Sequence, residues 1–265
     1  MSVPPLFRRS VHAICLGSLL LLTPLSASLA QTATPVGSWD FVLAGNQRGV
    51  VKVTFSDDGT LEGIGVLTLS TATSTGLGVS NLFGSVIIQG AWLFERTNRI
   101  SGFMNLITEV STNLTTNGFS FRGTARPSRL NLLGFGFAGQ INFRGIPLLE
   151  TNVVDLGGTA SFLGQVKAKG IPFQRLEIFN LTTISPNFYS AIGGGPGYTF
   201  VGNLLISNQG IAAFSQFRGT GSGVPVIATY VGPFNLARLR GTLKGIDDLN
   251  PVIHYRITAE AVLSP

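Results

Sequence analysis

Few side chains in this sequence can do chemistry, and most of those that can are carboxylates. A glycosidase needs two carboxyl groups that face each other across an open cleft, about 5–10 Å apart. Six acidic residues lie within or beside apolar, strand-like runs, from which folding can bring a pair together: Asp40, Glu62, Glu95, Glu109, Glu177 and Glu260. Their spacing along the chain does not select a pair. A secreted carbohydrate-active enzyme with paired carboxylates therefore stays open as one alternative.

Two adjacent pairs of acids have a local explanation. Asp57-Asp58 precedes Gly59, and Asp247-Asp248 precedes Leu249-Asn250-Pro251. Adjacent acids in turns can bind calcium, but the sequence has no Asp-x-Asp-x-Asp-Gly loop with a closing glutamate. Asp and Asn also stabilise turns through hydrogen bonds to the nearby backbone. We therefore interpret both pairs as turn residues.

Nucleophilic and zinc chemistry lack their usual side chains. Beyond the leader described below, the sequence has no cysteine, one histidine (His254) and no Gly-x-Ser-x-Gly elbow. His254 alternates with Ile253, Tyr255 and Ile257, which places it on the polar face of a strand beside Arg256. We interpret it as a solvated strand residue. No catalytic, cofactor-binding or metal-ligating residue is predicted, and no cofactor.

One glycine-rich string resembles a nucleotide-binding fingerprint. Gly134, Gly136 and Gly139 have the Gly-x-Gly-x-x-Gly spacing. That fingerprint binds pyrophosphate only where a strand turns into a helix. Here Gln140–Arg144 is typical of another strand, and Pro147 follows soon after it. We interpret the glycines as a bend between two strands.

The first thirty residues have the features of a secretory signal peptide, which predicts a short N-terminal helix. Arg8 and Arg9 precede an apolar run from Val11 to Leu22, which is too short to span a bilayer comfortably. Ser28-Leu29-Ala30 places small residues at the two positions that a signal peptidase reads. We expect the mature chain to begin at Gln31.

Removal of this leader changes what the composition implies. Cys15, the only cysteine, lies too early in the apolar run to be a lipid anchor, and its removal leaves no disulfide. Loss of Arg8 and Arg9 lowers the excess of basic over acidic residues from six to four. The remaining basic residues are scattered, whereas nucleic-acid binding needs a concentrated basic surface. We expect no nucleic-acid partner.

The stretch after the leader predicts consecutive antiparallel strands. Turns at Gly45–Gly49 and Asp57–Gly59 separate short runs whose apolar residues recur at every second position. From this alternation we predict four core residues: Trp39, Phe41, Val53 and Phe55.

The rest of the chain continues in the same pattern. No segment of twelve or more residues outside the leader has helical periodicity, and the 34 glycines suit strands and tight turns. We predict an all-β fold of antiparallel meanders, as one large barrel or sandwich or as two similar lobes. In the two-lobe version residues 31–150 and 151–265 form the lobes, and a continuous domain over 31–265 is the alternative.

Weak internal similarity accompanies this pattern. The similar pairs are Gly139–Pro147 with Gly164–Pro172, Phe41–Ile64 with Phe188–Ile211, and Gly90–Phe94 with Gly232–Leu236. In the second pair Asp57-Asp58-Gly59 is matched by Asn208-Gln209-Gly210. Duplication explains these matches, and so does the self-similarity of any glycine-rich β protein.

The 19 phenylalanines mostly occupy alternating positions, which suits a thick, dry interior. A filled core and a cavity for an apolar small ligand both satisfy this pattern, and we expect the filled core.

We predict an exported, non-enzymatic β-rich structural or binding protein of the periplasm or cell exterior. Its partner is unknown, with an apolar small ligand or a cell-surface component as candidates. An outer-membrane β-barrel is the main alternative, because charged residues make up only 11% of the chain and glycines separate many strands. Against it, Val50–Phe55 carries apolar residues on both faces, and the chain ends without an aromatic residue. A membrane is a partner only in that case.

Overall fold

In the computed structural model the described residues are 34–45, 47–69, 85–110, 113–136, 139–148, 159–168, 174–219, 226–247 and 250–262. The predicted leader, with Cys15 and the expected cleavage before Gln31, lies outside them. Within these residues the chain forms sixteen β-strands and no helix. All their pairings are antiparallel. The predicted all-β antiparallel fold is confirmed.

The first eight strands close into one barrel, which we call barrel 1. Each strand pairs with the next one along the chain, and the first also pairs with the eighth, so the sheet has no free edge. The strands are β1 (Gly37–Gly45), β2 (Gln47–Phe55), β3 (Thr60–Leu69), β4 (Ser85–Arg96), β5 (Arg99–Val110), β6 (Asn113–Arg126), β7 (Arg129–Gly136) and β8 (Gly139–Pro147).

The other eight strands close into a second barrel, barrel 2. Its first strand pairs with its last, as in barrel 1. The strands are β9 (Thr159–Ala168), β10 (Gln174–Ser185), β11 (Phe188–Gly195), β12 (Tyr198–Ser207), β13 (Ile211–Gly219), β14 (Val226–Asn235), β15 (Arg240–Asp247) and β16 (Asn250–Val262).

Alternation along the strands fills barrel 1. The register sets Trp39 opposite Val53 and Phe41 opposite Val51, so inward side chains of neighbouring strands lie in common layers. All four predicted core residues are buried in one cluster, which confirms that prediction: Trp39, Phe41, Val53 and Phe55. The ring of Phe41 contacts the rings of Trp39, Phe55 and Phe143 at centroid distances of 6.2–6.5 Å. The interior of barrel 1 is packed with its own side chains.

Barrel 2 has a similar interior with more tyrosine. Phe179, Phe200 and Phe214 contact one another with ring centroids 5.3–6.1 Å apart, and Phe214 stacks on Tyr230. Tyr189 is fully buried in the same cluster. Buried aromatic rings therefore lie inside both barrels, at the alternating positions that the sequence indicates.

Two turns, one in each barrel, have the same backbone structure. Turn A is Ser56–Thr60, between β2 and β3, and turn B is Ser207–Ile211, between β12 and β13. In each, the glycine N–H donates to the serine carbonyl, at 3.2 Å in turn A and 3.0 Å in turn B. The glycine carbonyl accepts from the amide of an aromatic residue in the second strand after the turn, Trp92 of β4 or Phe234 of β14, at 2.7 and 2.9 Å. The glycine φ angles are +84° and +74°, which explains the choice of glycine.

The strands around these turns also share one register. Thr60 pairs with Ala91 after turn A, and Ile211 pairs with Pro233 after turn B. Strands β2, β3 and β4 therefore correspond to β12, β13 and β14. Because barrel 2 begins with β9, the matching strands are displaced by two positions between the two barrels.

The glycine string at Gly134–Gly139 lies where β7 ends and β8 begins. Gly136 pairs with Gly139, so the two strands form a hairpin. A strand follows the glycines, as the sequence indicates, and the helix that a dinucleotide fingerprint requires is not present in the described residues.

Candidate functional site between the barrels

Ala33–Pro265 forms one compact unit, in which the outer faces of the barrels meet. The apolar part of this contact, which we call the apolar contact, joins Val50 and Val66 of barrel 1 to Leu205 and Ala213 of barrel 2. All four side chains have no exposed surface. Three half-buried residues of barrel 2 pack against them: Phe188, Ile211 and Val231. These residues alternate with the inward-facing ones, so the same strands supply a barrel core and a contact between barrels.

Beside the apolar contact lies a carboxylate with no exposed surface, Asp40 of β1. Its Oδ2 accepts hydrogen bonds from turn B of barrel 2. The backbone N–H of Asn208 donates at 2.6 Å, and the hydroxyl of Ser207 donates at 3.1 Å. Turn B therefore binds barrel 1 through a charged acceptor.

Gln209 adds two more hydrogen bonds from turn B. Its Nε2 donates to the carbonyl of Asp40 in β1 and to the carbonyl of Arg144 in β8, each at 3.0 Å. Strands β1 and β8 are the pair that closes barrel 1. Turn B thus bridges the closing seam of barrel 1.

Lys52 is the cross-strand neighbour of Asp40 and is also buried. Its Nζ donates to the carbonyl of Pro186 in barrel 2 at 2.6 Å. Burial lowers the pKa of Lys52 to about 8, against the attraction of the Asp40 carboxylate, which favours the charged form. The ammonium group is therefore held in a dry environment by one carbonyl and one nearby negative charge.

The pKa of Asp40 is raised, because burial penalises its charged form. The hydrogen bond from Asn208, the attraction of Lys52 and the hydrogen bond from Ser207 act in the opposite direction. Its second oxygen, Oδ1, has no hydrogen-bond partner among the described residues. The site therefore holds a desolvated acid beside a desolvated base, enclosed between two barrel walls.

A second polar contact lies on the other side of the apolar contact. Asn203 of β12 donates through Nδ2 to the hydroxyl of Ser85 at 2.6 Å. The Ser85 hydroxyl also lies 3.4 Å from the hydroxyl of Ser215 in β13. Polar groups therefore flank the apolar contact on two sides, as in the polar rim of an interface.

The predicted turn residues of turn A lie on the surface. Asp57 and Asp58 are exposed, and Asp58 Oδ1 accepts from the N–H and the hydroxyl of Thr60 at 2.8 and 2.6 Å. These hydrogen bonds lower the pKa of Asp58. Asp248 and the side chains of Asp247 and His254 lie outside the described residues.

Three of the six candidate carboxylates have described side chains. Asp40 is enclosed between the barrels, whereas Glu62 and Glu95 are exposed. Asp40 and Glu62 lie two strands and two residues apart on the outside of barrel 1, a separation of about 12 Å in the sheet. Because Asp40 has no exposed surface, it does not face Glu62 across an open cleft. The side chains of the other three lie outside the description: Glu109, Glu177 and Glu260.

Sequence reasoning missed the pairing of Asp40 with Lys52. Alternation from Trp39 and Phe41 places Asp40 on the outer face, where a charged residue is ordinarily solvated. Opposite charges facing each other across the β1–β2 hairpin were the available signal. Their burial depends on barrel 2, which lies about 150 residues further along the chain.

Two buried amides inside barrel 1 were also missed. Gln47 has no exposed surface, and neither of its side-chain amide atoms has a hydrogen-bond partner in the described structure. Asn117 Nδ2 is likewise buried without a partner there. They occupy inward positions on β2 and β6, on opposite sides of the barrel.

No protein-family model matches the chain, and no curated protein matches it significantly. Within the part of the chain that the structure describes, three or more His, Cys, Asp or Glu side chains nowhere gather as a metal site. The same residues include no helix with the length and apolar character needed to cross a membrane.

Proposed function

We propose that the protein is an exported, non-enzymatic structural or binding protein that works through the outer surfaces of its two barrels. The observation that carries this proposal is the packing of both interiors with the protein's own aromatic side chains. A filled interior leaves the outer walls as the surfaces on which a partner can bind.

The barrel contact supports a structural role for the buried charges. Asp40 and Lys52 each bind atoms of barrel 2, and both are shielded from solvent. A general acid or base must reach a substrate atom within hydrogen-bond distance. Their burial therefore favours a structural role, in which they hold the two barrels together, and does not favour a role as a catalytic pair.

The same packing favours a water-soluble protein over the outer-membrane alternative. Outer-membrane barrels carry apolar residues on the lipid face and a polar interior. Here Trp39, Phe41 and Phe143 point inward, whereas Glu62 and Gln89 lie exposed on the outside of barrel 1. We propose the periplasm or the cell exterior as its location.

We also infer that the barrels descend from one ancestral barrel by duplication. The shared hydrogen bonds of turns A and B and the common register around them support this inference. The displacement by two strands implies that the chain ends fell at different points of the ancestral barrel.

Cell fractionation and a ligand assay test the proposed function together. We expect the exported protein to be released into buffer without detergent. We also expect fluorescent fatty acids, used as apolar probes, to show no saturable binding. Release only by detergent would support the membrane barrel. Saturable binding that is lost when Met104, inside barrel 1, is replaced by Trp would support an interior ligand site.

A further inference from the structure

An exposed apolar row crosses the outside of barrel 2. Ile192 of β11 pairs directly with Val201 of β12, and Val201 pairs directly with Phe217 of β13. Their side chains are 65%, 52% and 40% exposed. Ile178 of β10, 60% exposed, lies diagonally beside Ile192. We call these four residues the open row. Contiguous apolar side chains in water mark interaction surfaces more often than single ones do.

The matching positions of barrel 1 are already an interface. Val50 lies six residues before turn A, as Val201 does before turn B, and Val66 lies six residues after turn A, as Phe217 does after turn B. Val50 pairs with Val66 in the same way. Both valines are completely buried, because barrel 2 covers them in the apolar contact. The outer wall of barrel 1 at these positions binds barrel 2, whereas the equivalent wall of barrel 2 is uncovered.

The surroundings of the open row suit contact with an identical surface. The outward neighbours two positions away are uncharged: Ser190, Gly194, Thr199, Asn203, Ser215 and Gly219. Two identical copies of this surface therefore meet without repulsion between like charges. Asn203 and Ser215 already bind Ser85 of barrel 1, so the open row continues directly from the established contact.

The polarity of the remaining walls limits how copies can associate. The apolar contact uses Leu205 and Ala213 of barrel 2, and the matching residues of barrel 1 are Thr54 and Glu62. Glu62 is exposed, and Thr54 Oγ1 lies 2.9 Å from the hydroxyl of Ser38. This polar wall cannot repeat the apolar contact on the open row of another copy. Head-to-tail growth is therefore disfavoured, and self-association through two open rows remains.

We propose that the protein forms a two-fold symmetric homodimer in which the open rows of two copies pack on each other. The proposal rests on the proposed function, because it makes the outer wall of barrel 2 the binding surface. The row alone is smaller than the roughly 800 Å² per partner of a stable interface. We therefore expect a reversible dimer with a dissociation constant on the order of micromolar.

Sedimentation of the exported, processed protein over a range of concentrations tests this proposal. We expect wild type to pass from monomer to dimer, and Val201→Lys to weaken association at least about tenfold. Ile87→Lys is the matched control, since Ile87 is 55% exposed on the outside of barrel 1 and lies off the open row. We expect Ile87→Lys to associate like wild type. Thermal melting of both variants should match wild type, because both positions are exposed.

Cysteine variants give an independent readout, since the predicted mature chain has no cysteine of its own. We expect Val201→Cys to form an intermolecular disulfide under mild oxidation, because Val201 lies at the middle of the open row. Gln89→Cys, on the exposed wall of barrel 1, should remain a thiol. Equal cross-linking of both variants would contradict the proposed geometry.

Two results would overturn the dimer. One is a wild type that stays monomeric up to about 100 µM, where a micromolar dimer must form. The other is flotation with phosphatidylglycerol vesicles that Val201→Lys abolishes while the protein in solution stays monomeric, which would assign the row to a lipid surface. If wild type stays monomeric, but is released without detergent and binds no fatty-acid probe, the dimer is wrong and the proposed function stands.

Discussion

Turns A and B have the same backbone in different surroundings. In turn A the Asp57-Asp58 pair faces solvent, and Asp58 binds its neighbour Thr60. In turn B the Asn208-Gln209 pair faces barrel 1 and binds Asp40 there. The glycine and the register fix the shape of both turns, whereas the side chains decide what each turn contacts. Amides can approach a buried carboxylate, and a second pair of acids would repel it.

The outer walls of the barrels differ in the same manner. Val50 and Val66 are covered by barrel 2, whereas Val201 and Phe217 occupy matching positions in water. The common register thus places equivalent residues on the two outer walls, but only those of barrel 1 are covered by another barrel. Four experiments test whether matching positions in the two barrels differ in this manner.

The largest effect should arise where the barrels are alike, in their interiors. Trp39 pairs with Val53 in barrel 1, and Tyr189 pairs with Leu204 at the matching place in barrel 2. We expect Trp39→Ala and Tyr189→Ala each to lower the free energy of unfolding by about 3–5 kcal/mol, since each leaves a large cavity. Urea denaturation measures this loss. Leu93→Ala, at an exposed position, is the control and should change it by less than about 0.5 kcal/mol. An unchanged midpoint for Trp39→Ala would place that ring outside the barrel.

The second-largest effect should distinguish the contact of turn B with Asp40 from the exposed turn A. We expect Asp40→Ala to lower the free energy of unfolding by about 3 kcal/mol. The substitution removes the hydrogen-bond acceptor of the buried Asn208 N–H, and it removes the negative charge near the Lys52 ammonium. Asp57→Ala, in the exposed turn A, should cost less than about 0.5 kcal/mol. Equal losses in urea denaturation would show that turn B is no more closely held than turn A.

Exchanging one side chain between the turns should have a smaller effect. Asn208→Asp gives turn B an acid of turn A, at the residue whose backbone N–H binds the Asp40 carboxylate and whose side-chain oxygen accepts a hydrogen bond from Asn187. We expect a loss of about 1–2 kcal/mol at pH 7 from the like charges. The reverse change, Asp57→Asn, should be nearly neutral. Melting temperatures at pH 7 and pH 4.5 measure both variants, and the loss for Asn208→Asp should shrink at the lower pH as the carboxylates bind protons. A loss that grows on acidification would contradict repulsion as the cause.

The smallest effect concerns Lys52. Its pKa is lowered to about 8 in the folded protein, so the unfolded chain binds more protons above that pH. Stability therefore rises with pH through this group, and the contribution is complete near its unfolded value of 10.5. We expect wild type to gain on the order of 1 kcal/mol relative to Lys52→Met between pH 7 and pH 9. Urea denaturation at both pH values measures the difference, and a constant difference would mean that the Lys52 ammonium is solvated.

Local pattern was enough for the all-β class and for the inward faces of the first two strands. Trp39, Phe41 and Leu43 alternate with outward residues, and a strand has no other way to bury all three on one side. The turn residues followed from the same reasoning, because Gly59 and Gly210 mark positions of positive φ. Alternation along the chain was therefore enough to predict the fold class and the four core residues Trp39, Phe41, Val53 and Phe55.

The closure of two separate barrels was decided by tertiary structure. Alternation predicts which side of a strand is buried, but a sandwich and a barrel satisfy it equally well. The choice depends on which strands form the last pairs, β1 with β8 and β9 with β16. These pairs join residues about 100 positions apart, beyond the reach of any local pattern.

The candidate site depended on tertiary structure most of all. Asp40 and Lys52 stand at positions that alternation assigns to solvent, and only the approach of turn B removes them from water. The desolvation that shifts both pKa values is a property of that approach, not of the residues themselves. A sequence specifies which side chains face outward, whereas the packing of one barrel on another decides which outward side chains remain in water.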